Sequence, residues 1–378
     1  MLQFTKLTMI TFLLIFMTGC GDRLDLEKQS ISLVYGFDMD EQGKMIVYDL
    51  TPNFNEDVEK KYEVHEARVN TPRESKEKFN SSSKGLVSTE KLQLILLSQK
   101  FLQQEGAMPY FDVWYRDPKN TGNMRIVTVK GPVSSIMHND FKDKPTLPEY
   151  LTDLIETNKL YNRTAVATFH EFHQQAFNKG ITPAISEIKE GENEIIVTGS
   201  ALLTSRGMYK ISLNRHESAL LLMLKKKVNP PVSLTMPIYA KRVETDSSLR
   251  NLKGKDFITI NVQDIKQDLS TRYDRDHFVF NIKLNLNISI AERTFDVNMK
   301  KDKGELAALI RKQLNKDFNN LIHKIQSEKL DPFGFGEYAR AFQYAHWKKV
   351  ENDWPNAFSE ASVTVTPTVK ILENGIIK

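Results

Sequence analysis

The sequence predicts an α+β protein in three units, the last an antiparallel sheet packed against a long amphipathic helix. Three observations carry that prediction. Phe280 to Ile290 reads F-N-I-K-L-N-L-N-I-S-I, a strict alternation with one apolar and one polar face, as a half-buried strand requires. Leu306, Ile310, Leu314, Phe318, Leu321 and Ile325 then fall on one stripe at helical spacing. Elsewhere strand-like and helix-like segments follow one another without a regular βαβ order, which favours α+β. A chain of 378 residues has room for two or three cores, and 40% hydrophobic with 26% charged residues is globular composition.

The N-terminus comes first. Lys6 precedes an apolar segment, Leu7 to Thr18, that ends at Gly19 and Cys20. A helical membrane span needs about twenty apolar residues, so this stretch has the length of a secretory h-region instead. Met17-Thr18-Gly19-Cys20 resembles a bacterial lipobox, with Met where Leu is usual. The expectation is a signal peptide over 1–19, cleavage before Cys20, and a diacylglyceryl group on its sulfur. Residues 20–28 are then a tether on the outer face of a membrane. Each buried methylene contributes about 0.8 kcal/mol, so two or three acyl chains hold durably where one does not. Cys20 is the sole cysteine, which leaves no internal disulfide framework and no CxxC site. The net charge of +4, or +3 without Lys6, is too small to argue for nucleic acid.

In the first unit (29–163), Ile31 to Phe37 and Met45 to Leu50 are rich in strand formers and flank a polar turn with Gly43, predicting a hairpin. Lys91 to Phe101 is apolar enough for one buried strand. Pro109 to Arg116 and Pro148 to Leu160 read as helices, and Met124 to Lys130 alternates as a strand. The second unit (164–232) opens on a helix over Thr164 to Asn178, stopped by Gly180 and Pro183. Glu194 to Leu203 and Met208 to Ile211 are short strands, and Arg215 to Lys226 a helix. Its run Ala219 to Leu224 is too short to span a bilayer, and the lysines 225–227 after it suit the helix dipole. Pro230 and Pro231 make the clearest break in the chain. In the third unit (233–378), Ile258, Ile260 and Val262 alternate ahead of the long strand, and Val363, Val365, Val369 and Ile371 form a last one.

Few motifs suggest chemistry. His170, Glu171 and His173 have i, i+3 spacing and not the H-E-x-x-H that puts two zinc ligands one turn apart, so a solvated helix face is expected. Gly334-Phe335-Gly336 with Ala339 formally matches a dinucleotide fingerprint. A long helix precedes it where that motif needs a strand. Asp274 and Asp276 fit a turn between two strands. The sequence has no G-x-S-x-G, no P-loop and no calcium loop, and neither a catalytic residue nor a cofactor is assigned.

The segment Asp331 to Phe358, "DPFGFGEYARAFQYAHWKKVENDWPNAF", resembles the signature of the Ger(x)C spore germination lipoproteins. Asp331, Phe333, Gly334, Phe335, Gly336, Glu337, Trp347, Lys348, Asp353, Trp354 and Phe358 stand at matching places, and Glu373 to Gly375 also fits. Upstream, "GCGDRLDLEKQSISLVYGFDMD" resembles the family's start, with Gly21 replacing Trp. "VTGSALLTSRGMYKISLNRHES" resembles its internal strand pair, with Leu203 for Phe and with Gly207 and Lys210 where Lys and Gly are usual. The resemblance implies a lipid-anchored, three-domain α+β protein on the outer face of the spore inner membrane. It implies the C subunit of a nutrient germinant receptor beside two membrane-embedded partners, A and B, with no catalytic role. Whether such a subunit touches the germinant is left open. Phe335, Trp347 and Trp354 are expected as core packing first, with interface anchoring as the alternative. The rival functional class is a solute-binding lipoprotein that captures a nutrient in a cleft between domains.

Overall fold

The computed structural model describes residues 28–53, 60–104, 106–117, 120–238, 256–295, 297, 299 and 301–372. Cys20, most of the tether and Glu373 to Gly375 lie outside these residues. Two main sheets organise the chain.

The first sheet has the order β10-β9-β8-β7-β6-β2-β3-β4, built from β2 (Val34–Met39), β3 (Met45–Pro52), β4 (Tyr62–Val69), β6 (Leu94–Ser98), β7 (Arg125–Val129), β8 (Ala184–Glu190), β9 (Ile195–Leu203) and β10 (Tyr209–Asn214). The expected hairpin is β2 with β3. Asp40 Oδ1 accepts from the Gln42 and Lys44 N–H groups, and Gly43 takes φ +78°, the left-handed conformation a tight turn asks of glycine. The central strands pair in parallel, and β2 and β6 are buried throughout because helices cover both faces. On one face, α1 (Pro72–Ser82), α2 (Gln99–Gln104), α3 (Met108–Tyr115) and α6 (Phe169–Phe177) bring Phe79, Phe101, Phe111, Trp114, Phe169 and Phe172 into one core. On the other, α4 (Ser134–Met137) and α5 (Leu147–Leu160) supply Ile136, Leu151 and Ile155. A short parallel pair, β1 (Gln29–Ile31) with β5 (Leu86–Ser88), lies beside this body.

Two expectations are corrected here. Lys91 to Phe101 is not one strand: the strand ends at Ser98, whose Oγ accepts from the Phe101 N–H and starts a helix with Phe101 and Leu102 fully buried. The helix expected from Thr164 begins only at Phe169. Ala167 accepts from the Ile126 N–H, and a capping box of Thr168 with Glu171 sets the start. Pairing of β7 with β8 also carries the sheet across 163/164, where the sequence suggests a boundary between units.

The second sheet has the order β11-β12-β13-β14, from β11 (Val232–Ile238), β12 (Asp256–Asp274), β13 (His277–Arg293) and β14 (Ser362–Ile371). Its first three strands are antiparallel. The last joins β13 in parallel, because four helices carry the chain from one end of the sheet back to the other. These are α8 (Lys303–Ser327), α9 (Phe335–Phe342), α10 (Tyr344–Val350) and α11 (Trp354–Ser359). All six residues of the expected stripe on α8 are buried against the apolar sheet face. Each edge strand carries a proline, Pro237 in β11 and Pro367 in β14. Between the two sheets lies α7 (Arg215–Leu224), buried at every position from Ser218 to Leu224, which accounts for a run that is apolar all round. Among the described residues no helix is long and apolar enough to cross a membrane.

Candidate functional site: the junction at Asp331

The signature segment folds into a junction between the third unit and the loop after α6. Asp331 is fully buried at its centre. Its Oδ1 accepts from the Gly334 N–H at 2.9 Å, and its Oδ2 accepts from the Gly336 N–H and from Trp354 Nε1–H, both at 2.9 Å. Its carbonyl accepts from the Thr182 N–H at 2.8 Å, which ties the junction to the second unit. Burial pushes the Asp331 carboxyl up to about 6, although hydrogen bonds from the Trp354 side chain and the 334–336 backbone pull the other way. Lys225, the residue that closes α7, turns its ammonium inward and donates to the Pro332 carbonyl. Burial lowers it to about 8, with the nearby lysine Lys227 adding to the effect and Asp331 opposing it.

Two glycines permit the closest approach. A Cβ on Gly336 would lie 2.5 Å from Gly180 Cα and 2.6 Å from Trp354 Nε1, and one on Gly180 would lie 2.7 Å from the Gly336 carbonyl carbon. Gly334 takes φ +82° and leads the chain into α9. Around this contact Phe335 stacks on Phe280 at 5.0 Å and on Phe333 at 5.1 Å, while Trp354 meets Phe278 edge-on at 5.2 Å. Gln326 on α8 donates to the Phe358 and Ala361 carbonyls at 2.8 Å each, closing the floor. At the surface, Asn178 donates to Glu337 at 2.8 Å, and Glu351 bridges Lys179 at 3.0 Å and Lys348 at 2.8 Å. A second clasp joins Lys324 of α8 to Glu217 of α7 at 2.9 Å and to the Ser212 carbonyl at 3.0 Å.

Phe335 and Trp354 therefore share one core, each 1% exposed. Trp347, on α10, belongs to the same core and is buried beside the Arg340 guanidinium, 5.8 Å from its ring, with the exposed Tyr344 ring 6.3 Å away. The His170, Glu171 and His173 group does not converge: Glu171 caps its own helix, His170 is exposed, and His173 lies against Tyr115 and Phe177 at 3.9 and 4.4 Å. No metal-binding cluster of His, Cys, Asp or Glu occurs among the described residues. Asp274 closes β12 and Asp276 lies in the turn to β13, at φ +63°. Sequence patterning marks neither Lys225 nor Gly180 as part of the junction, since both partners come from over 100 residues away. Chemically, a carboxylate already accepting three hydrogen bonds and sealed from water holds structure together.

Comparison with known proteins agrees with this layout. Residues 22–190 match the family model described as the spore germination protein N-terminal domain, and residues 198–375 match the one described as spore germination B3/GerAC like, C-terminal. The chain is 20% identical to spore germination protein GerQC of Bacillus cereus over 371 residues, covering 96% of each. It is 21% identical to spore germination protein B3 of Bacillus subtilis (strain 168) over 392 residues, covering 99% of this chain and 98% of the relative. The crystal structure of the GerBC protein shares the fold with a TM-score of 0.56 at 16% identity, over 91% of this chain and 99% of that one.

Proposed function

The chain belongs to the GerAC-like spore germination protein family, and from that membership we propose that it is the lipid-anchored C subunit of a nutrient germinant receptor. In this reading Cys20 carries the lipid on the outer face of the spore inner membrane. The folded body works by assembly with two membrane-embedded subunits, A and B, and performs no catalysis. The observation that carries the reading is the use of the signature residues. Asp331, Gly334, Phe335, Gly336 and Trp354 all serve one buried junction that fixes the third unit against the second. A part so built presents a rigid outer surface to partners. Affinity isolation of the chain from detergent-solubilised spore membranes is expected to bring two multi-span proteins with it. Recovery of the chain alone would contradict the proposal.

A second reading, nutrient capture by a solute-binding lipoprotein, draws on a cavity of about 790 Å³ lined by Tyr62, His65, Phe141 and Tyr150. This cavity lies inside the first unit and not in the cleft between domains that such a protein would use. Calorimetric titration of the chain with amino acids and sugars separates the two readings, since saturable heat would favour capture.

A further inference from the structure

We propose that the groove between α1, the β1–β5 pair and the end of α3 binds the phosphoglycerol headgroup of an anionic membrane lipid. This rests on the lipid-anchor reading above. Two adjoining cavities, about 450 and 180 Å³, share Lys76, Asn80, Thr89 and Asp117 and so form one groove, with Glu90 lining the smaller of them. Its floor is apolar and aromatic: Tyr35 is 2% exposed and Trp114 6%, and their rings meet edge-on at 5.8 Å. Its wall is one stripe of α1, with Arg73, Lys76, Glu77 and Asn80 at i, i+3, i+4 and i+7. Among the described residues Arg73 and Lys76 have no carboxylate partner, whereas Lys78 on the other side of the helix pairs with Glu74 and Arg116 pairs with Asp112.

The chemistry of the stripe selects the ligand. Two free cations three residues apart suit a phosphodiester. Glu77 and Thr89 can accept from neighbouring hydroxyls. Asn80 Oδ1 is taken by the Val87 N–H at 2.8 Å, so its amide is the group left to donate. Position points the same way. Gln29 of the first described strand lines the groove, and only seven residues separate Cys20 from Lys28. Even fully extended, that stretch spans under about 30 Å, so an anchored Cys20 holds this corner of the molecule near the bilayer surface. Leu86, 51% exposed on the same rim, adds an apolar contact at that surface.

The test uses the full lipidated chain, purified from membranes and reconstituted in nanodiscs of phosphatidylcholine, with or without phosphatidylglycerol. Amide exchange of α1 and β5 is the readout. Exchange is expected to slow only in the phosphatidylglycerol discs. The Arg73→Glu/Lys76→Glu variant should lose the effect by at least about tenfold, as two basic contacts at an anionic surface imply. The milder Arg73→Gln/Lys76→Gln variant, with an unchanged melting temperature, should lose most of it. Equal exchange in both discs would overturn the proposal. So would equal slowing from dissolved glycerol phosphate over phosphatidylcholine, which would make the groove a site for a free anion. Failure of the chain to stay on either disc would instead refute the anchor.

Discussion

Asp331 governs the junction through two properties that pull against each other, burial and triple hydrogen bonding. Its carboxyl is raised in the folded chain to about 6, above the ordinary value near 3.9. The folded state then binds a proton that the unfolded state releases between those values. Stability is therefore fully present below pH ~4 and falls as pH rises to ~6, by roughly 3 kcal/mol for a shift of about two pKa units. Asp49, fully buried and raised to about 7 with Ser32 as its donor at 3.0 Å, adds loss of the same sign over pH ~4 to 7. Chemical denaturation across pH 4 to 7 is expected to show this decline, and Asp331→Asn should flatten its lower part. That substitution also faces the Gly336 and Trp354 donors with an amide N–H₂, costing about 1–3 kcal/mol at neutral pH. Gly336→Ala puts a methyl group into Gly180 and should cost about 1–3 kcal/mol or more, read as a drop in melting temperature. Trp354→Ala removes a ring that is 1% exposed and should cost about 3–5 kcal/mol.

At the scale of elements, legibility followed how many faces a segment buries. β13 and α8 bury one face each, so their periods of two and 3.6 stand out in the sequence and the structure has both. β6 and α2 are both enclosed, so Lys91 to Phe101 reads as uninterrupted apolar chain, and only the Ser98 cap separates strand from helix. The parallel placement of β14 was not legible either, since alternation names a face and not a neighbour. The candidate junction was half legible. Its aromatic and glycine residues stand in one stretch, but Gly180, Thr182 and Lys225 reach it only through tertiary folding. The prolines on the two edges of the second sheet have a purpose at this scale. Pro367 withholds an N–H from the free side of β14, which discourages pairing with another chain. Pro367→Val is expected to raise self-association, seen by light scattering at increasing concentration, with little change in melting temperature.

For the whole molecule, the two sheets are joined by α7 and by the Asp331 junction, so the second and third units meet through a buried apolar core and not a flexible linker. That continuity suits the proposed role of an anchored subunit, whose surfaces would stay fixed relative to a membrane and partners. If this spore germination family member works as the proposed anchored assembly component, its role depends on Cys20. Replacing Cys20 by Ala in spores and fractionating their membranes measures that dependence directly. Loss of the chain from the inner membrane, together with loss of nutrient-triggered germination, is the expected result. Full membrane retention with germination unchanged for every nutrient would contradict it.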